Sequence, residues 1–522
     1  MHSRIKSFLI PVSFGLLLGA GCKKGTFDIN SPNPNVPSNV PAKFVLSAAL
    51  AGSAVINFGG GYTDILNTYM GYLSISGGYI PNSAWETYNV TSDFGANNWD
   101  GGYPLLENYN FIDKTAGADP TQANFQAIAK IMKAYHFSRL VDIYNDIPYS
   151  DALNGSSGTL FPKYDKAADV YTSCLHQLDT AITIINNNPN AVSPGGQDIM
   201  FGGDMGQWIQ FANTVKLRML LNLTQMSGGP STITAELQGL TPSDFLGAGQ
   251  DAIIQPGYTN ATSTQQNPLW GDFGWSPSGS ANGNENYLVA CSYIVNFWTN
   301  TKDTYRPPLI FAPNTSQGIV RGRDFGSNNG SETSPTYISL VGYNSNPSAG
   351  NYTSGLNVSP TSGLVFFPAF ESLFLQAEAA QRGYISGDPV ALYQSAVTEN
   401  FRLLNVPNYA AAAAAYYSQT TGSGLTQAEV NEVNISASTD PITTIISQKW
   451  ASLIIYDPLE SWCDWRRLGI PATLPVSVFP GTTATHIPYR LLYPTSEYKY
   501  NTANVNAEGT INPLTSKIFW MP

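Results

Sequence analysis

Apolar residues recur three and four positions apart in five separate segments, a period that fits little besides packed α-helices. Within 122–144, Ala127, Ile131, Ala134 and Val141 form one stripe, widened by Ile128 and Tyr135, and Asn145, Asp146, Ile147 and Pro148 stop it. Asp165 reads as the N-cap of the next helix. There Val170, Cys174, Leu178 and Ile182 repeat every fourth residue beside Tyr171 and Leu175. Residues 208–223 carry Phe211, Val215 and the run 217–220. Residues 370–382 carry Leu373, Ala377 and Ala380 and end at Gly383, and residues 442–455 carry Ile442, Ile446, Trp450, Leu453 and Ile454. Short helices with small residues at their contact positions suggest stacked hairpins of the tetratricopeptide kind, although no clean repeat of about 34 residues is present. The expected fold class is mainly α: tetratricopeptide-like helical hairpins with a loop-rich irregular half and few short strands.

The irregular half is read from 54–104, 250–290 and 310–365, which are rich in Gly, Asn, Ser and aromatic residues. Disordered segments avoid aromatics, so loops holding Trp85, Trp99, Trp270 and Trp275 are expected to fold onto the helices. The apolar run Leu364 to Phe367 reads as a short strand. Only 12% of the chain is charged, and aromatic residues equal that share. The surface must then be neutral-polar, which suits ligands bearing many hydroxyl or amide groups.

The N-terminus sets the location. Arg4 and Lys6 precede an apolar run, Phe8 to Leu18, of 11 residues. About 20 are needed to span a bilayer as a helix. Gly19, Ala20 and Gly21 then lead to Cys22, as in a bacterial lipoprotein signal, where the Cys thiol is lipidated and becomes the new N-terminus. An ordinary secretory signal is the alternative. Two or three acyl chains anchor a protein stably. The expected organisation is a signal peptide at 1–21, a lipid anchor and Pro-rich extended tether at 22–41, with Phe27 and Ile29 docked on the body, and a single domain at 42–522. Without the signal, 23 basic groups face 36 acidic ones, a net of −13, which disfavours nucleic acid as a partner. Cys174, Cys291 and Cys463 are odd in number and far apart, so no disulfide framework is implied. His136, His176 and His486 lack metal-ligand spacing and read as packed or surface residues. No metal or cofactor is expected.

Several strings, in order, resemble one family. They are Asp28-Ile29-Asn30 behind the lipobox, L-V-D-I-Y-N-D-I-P-Y-S-D-A-L at 140–153, P-K-Y-D at 162–165, G-G-D-M-G-Q-W-I-Q-F-A-N-T-V-K-L-R at 202–218, Q-A-E-A-A-Q-R-G at 376–383, S-Q-K-W at 447–450, W-C-D-W-R-R-L-G-I-P at 462–471 and I-P-Y-R-L-L-Y-P-T-S-E at 487–497. The chain thereby resembles the SusD/RagB lipoproteins, in the SusD-like type two branch. The resemblance implies a helical domain in the outer membrane of Bacteroidota-type bacteria, lipid-anchored and surface-exposed. It also implies a lid on a SusC-like TonB-dependent barrel that captures an oligosaccharide or, in the RagB manner, a peptide. Gly19 departs from the family's aliphatic lipobox position, and Lys23 and Lys24 replace the acidic pair that favours surface display.

Asp142 and Asp146 read as structural, and Arg218, Arg466 and Arg467 as fold-holding cations seeking a carboxylate or an aromatic face. Glu371, Glu378, Asp464 and Glu497 are their candidate partners. Sugar rings pack C–H faces on Trp and Tyr, and their hydroxyls need Asn, Asp and Gln. Loop 72–103 offers Tyr72, Tyr79, Asn82, Trp85, Tyr88, Asn97, Asn98 and Trp99. Loop 266–284 offers Gln266, Asn267, Trp270, Asp272, Trp275 and Asn284. Tyr79, Trp85, Tyr88, Trp99, Trp270 and Trp275 are the expected ligand contacts, on loops carried by a rigid scaffold; otherwise these rings pin their own loops. No catalytic residue is assigned. A glycosidase needs two facing carboxylates and no compact acidic motif stands out, nor does any nucleophile, zinc or phosphate-loop motif. A helical-repeat scaffold that binds only protein is the third reading.

Overall fold

The computed structural model describes residues 41–58, 62–80, 83–282, 284, 287–336, 341 and 358–522. Cys22, the tether as far as Val40, and Asn82 lie outside them. The stripe at 122–144 folds as the helix Ala123–Tyr144, buried everywhere except Gln126, Lys130 and Lys133. Those three side chains converge on Asp113 of the helix Gly102–Gly117. One neighbour cannot bury a helix on all sides. Ala123–Tyr144 packs on Gly102–Gly117 before it and on Ala167–Asn187 after it, which packs in turn on Met205–Asn222. A second set repeats the arrangement. Ala369–Gln381 packs on Pro389–Leu403 and Pro441–Leu453, and Tyr409–Tyr417 packs on Pro389–Leu403. Residues Ala42–Pro522 form one compact unit, and nearly all their buried apolar side chains join one continuous core.

The two sets meet across a line of buried charges. Arg139 binds Asp457 at 2.7 Å, and Arg218 lies between Asp457 at 3.5 Å, Glu371 at 3.4 Å and Glu460 at 3.9 Å. Lys449 joins Glu460 at 2.5 Å to Asp464 at 3.1 Å, and Arg467 joins Asp464 at 2.6 Å to Glu378 at 2.5 Å. Burial opposes the charge on Glu378, yet Arg467 and Arg382 hold it down at about 2. Removing one partner from such a pair strands a buried charge and is strongly destabilising, so these motif residues hold the fold. Arg466 lies between the rings of Trp462 and Trp520, 3.8 and 4.8 Å from their centres, and donates to the carbonyls of Asp142 and Tyr489. Among the described residues Glu497 takes no arginine. It accepts from the Trp99 indole, the Tyr164 hydroxyl and the Asn501 amide.

Asp165 is not the N-cap of Ala167–Asn187. The two-residue ribbon Ile147–Pro148 with Tyr164–Asp165 places Asp165 opposite Ile147, where its carboxylate accepts from the N–H groups of Tyr149 and Ser150. Lys166 takes the cap position without a side-chain capping bond, and Asp146 reaches across to accept from the Ala167 N–H at 2.9 Å. His136 is a packed histidine. Its Nε2 meets Ser53 Oγ at 2.8 Å, and burial, with Arg139 and Arg218, pushes its pKa down to about 3. Cys174, Cys291 and Cys463 are buried free thiols.

The region expected to be loop at 54–104 is partly helical. It holds the end of Ala42–Phe58, all of Tyr62–Tyr69 and the short helices Ser83–Glu86 and Asn97–Asp100. Leu364–Phe367 is the strand its sequence suggests, antiparallel to Ala252–Ile254. A third ribbon pairs Leu73–Ile75 with Leu288–Ala290. It ties the two aromatic loops together.

Candidate functional site

At the end of that third ribbon, the Ser76 N–H donates to the Tyr287 carbonyl, and the chain turns through Tyr79. The Tyr79 ring meets Tyr287 edge-on at 5.2 Å, and Trp85 stands 6.4 Å from both Tyr287 and Phe94. Tyr79 is 43% and its neighbour Ile80 90% exposed. Tyr79 and the half-buried Trp85 and Tyr287 thus form a ledge of rings that reaches the surface at Tyr79. Below it, Glu86 is buried, and its Oε2 has no hydrogen-bond partner among the described residues. Burial pushes its pKa up to about 7 against the pull of Arg323.

The other expected contacts divide. Tyr88 is 4% exposed; its hydroxyl accepts from the Ser477 N–H, and its ring packs on Tyr69. Trp270 is 1% exposed and donates to the Trp275 carbonyl. Both are packed inside with no ring face open, and they pin their loops to the body. Tyr72 is also internal, bonded to the Trp450 carbonyl and Ser461. Trp275 is half-buried, and its indole N–H has no partner among the described residues. Its loop is knotted by its own polar groups. Asn267 caps the helix Pro268–Phe273 and donates to the Ser362 carbonyl, Gln266 donates to Trp275, and Asn284 donates to Asp64. Burial and the charge of Asp64 raise Asp272 to about 8. Asn98 donates to the Gly95 carbonyl in its own turn.

Trp99 is 3% exposed and packs among Tyr103, Tyr144, Tyr164 and Tyr493. It nonetheless floors an open cleft of about 310 Å³, whose walls include Asp100, Tyr103, Leu153, Glu497 and Tyr500. Sequence reasoning missed Tyr103 and Tyr500 as site candidates. Tyr103 lies in the first turn of Gly102–Gly117, outside that helix's buried face, and Tyr500 ends a six-residue helix too short to show a period. Among the described residues no three His, Cys, Asp or Glu side chains gather as a metal site.

Solved structures share this architecture over 92% of the chain. One named a chitin-binding protein is 22% identical, covered over its full length, with a TM-score of 0.67. SusD homologues from Bacteroides fragilis and Parabacteroides distasonis are 20% and 18% identical, covered over 99% and 98% of their lengths, with TM-scores of 0.69 and 0.70. The fold is therefore that of the helical SusD homologues. Residues 34–494 match the SusD-like family described as "Starch-binding associating with outer membrane", and the chain belongs to that family. Among curated proteins, none matches the chain.

Proposed function

We propose that this protein is a non-catalytic, lipid-anchored capture protein for an oligosaccharide. It would sit as the lid of a SusC-like TonB-dependent barrel in the outer membrane, exposed at the cell surface. In this reading residues 1–21 are removed, Cys22 carries the lipid, residues 22–41 tether, and residues 42–522 form the single binding domain. The ring ledge of Tyr79, Trp85 and Tyr287 carries the proposal. Flat aromatic faces at a sparsely charged, Asn- and Gly-rich surface suit the apolar faces and hydroxyls of neutral sugars. The family description supports association with the outer membrane, and the chitin-binding neighbour supports a glycan as ligand. The energy for uptake would come through the barrel, so the lid need only bind and release.

Titration of the full chain, purified in mild detergent, against neutral oligosaccharides tests the reading. Trp85→Ala is expected to weaken binding about tenfold, a loss of about 1.4 kcal/mol, with the ligand's chain length unchanged after incubation. Trp85→Ala binding as tightly as wild type would remove the ledge from the proposal. Capture of peptides alone would move the ligand to the RagB kind. Isolation from native outer membranes is expected to bring down a stoichiometric TonB-dependent barrel, and recovery without one argues against the lid.

A further inference from the structure

The cleft floored by Trp99 shares no lining residue with the ring ledge. We infer that it is a second glycan subsite, one that takes a neutral pyranose from the same chain that the ledge holds. The inference rests on the reading that this protein captures glycans, and it adds a place and a selectivity.

Four observations carry it. The volume, about 310 Å³, is at the small end of ligand pockets, which suits one or two sugar rings. The floor is preorganised: four aromatic rings surround Trp99, and its indole N–H is held by Glu497 at 3.2 Å. A rigid floor spends little ordering entropy on binding. The wall offers Tyr500, which is 64% exposed and, among the described residues, makes no hydrogen bond through its hydroxyl, with the Lys499 ammonium 4.9 Å from its ring centre. A large aromatic ring left to solvent beside a formed cleft gives a sugar face something to cover.

The polar groups then set the class. Asp100 accepts from the Ser496 hydroxyl through Oδ1, and no donor among the described residues takes its Oδ2. Glu497 is fixed by three donors, Trp99, Tyr164 and Asn501, and a carboxylate has about four acceptor sites. Both groups accept hydrogen bonds and carry negative charge. Among the described residues no Lys or Arg lines the cleft. Lys114 donates to the Leu153 carbonyl, and Lys499 stands over Tyr500. Hydroxyl donors are matched, whereas uronate or sulfate groups meet two carboxylates. Trp85 and Trp99 sit on the successive short helices Ser83–Glu86 and Asn97–Asp100, so one oligosaccharide chain that engages both would gain from effective concentration.

Affinity electrophoresis of the full chain through gels containing soluble starch, glycol chitin or polygalacturonate tests this. Wild type, Trp85→Ala, Tyr500→Ala, Asp100→Asn and the Trp85→Ala/Tyr500→Ala double variant are compared, with melting temperatures as the folding check. The expected result is retardation of wild type in at least one neutral gel, a several-fold loss for each single variant there, and no retardation of the double variant. Tyr500→Ala and Asp100→Asn migrating with wild type while Trp85→Ala runs free would overturn the second subsite and leave the ledge standing. Stronger retardation in polygalacturonate than in either neutral gel would overturn the neutral assignment. Wild type unretarded in both neutral gels would count against glycan capture and the subsite together.

Discussion

Glu371 lies wholly inside the protein; its Oε1 is 3.4 Å from Arg218, and its Oε2 has no hydrogen-bond partner among the described residues. Burial, then the charge of Asp457, pushes its pKa up to about 8, while Arg218 and Lys449 pull the other way and Glu460 adds to the push. The folded state therefore keeps a proton that the unfolded chain releases near the ordinary carboxyl value. Between that value and about 8 the unfolded state binds fewer protons, so this group's contribution makes stability fall as pH rises. Glu371→Gln copies the protonated acid. Its melting temperature is expected to match wild type near pH 5 and to exceed it at pH 9, read by thermal unfolding across pH. A uniform loss at every pH would mean that Glu371 works as a charged partner of Arg218. The existence of these buried charges was legible in the motifs, because an arginine near an apolar stripe must be paired. Which carboxylate each arginine takes was not, because apart from Arg467 with Asp464 the pairs join segments far apart in the chain.

At the scale of elements, helix interiors were legible because a 3.6-residue period is a local property, whereas helix ends were less so. The start of Met205–Asn222 follows the sequence rule: Asp204 accepts from the N–H groups of Gly206 and Gln207 at 2.9 and 3.1 Å. Asp204→Ala is expected to lower stability by about 1 kcal/mol, measured by urea unfolding. No change would mean that packing alone holds this end. Ala167–Asn187 breaks the same rule, because a ribbon turns Asp165 away and Asp146 substitutes from another loop. Ala42–Phe58 escaped notice for a different reason. Its buried face runs Ala42, Leu46, Ala49, Leu50, Ser53, Ala54, Asn57 and Phe58, and its small and polar members blur the stripe.

At the scale of the whole molecule, the family match, from residue 34 to 494, covers most of the chain that the proposed anchor would hold at the membrane. Cys22→Ser is expected to move the protein from the outer-membrane pellet to the soluble fraction. If it still sediments after high-salt and carbonate washing, lipid at Cys22 is not what holds it there. The repeated stripes and the sparse charge were enough to determine a mainly helical hairpin body with an aromatic loop face. Only the tertiary structure decided which rings face water. Tyr79 and Tyr88 lie in one loop of similar composition, yet one is exposed and the other is locked to Ser477, 389 residues away; Trp99 is held by Glu497, 398 residues away. A helix stripe follows from neighbours three and four positions apart, but the exposure of a loop ring depends on which distant segment covers it, and no local pattern encodes that.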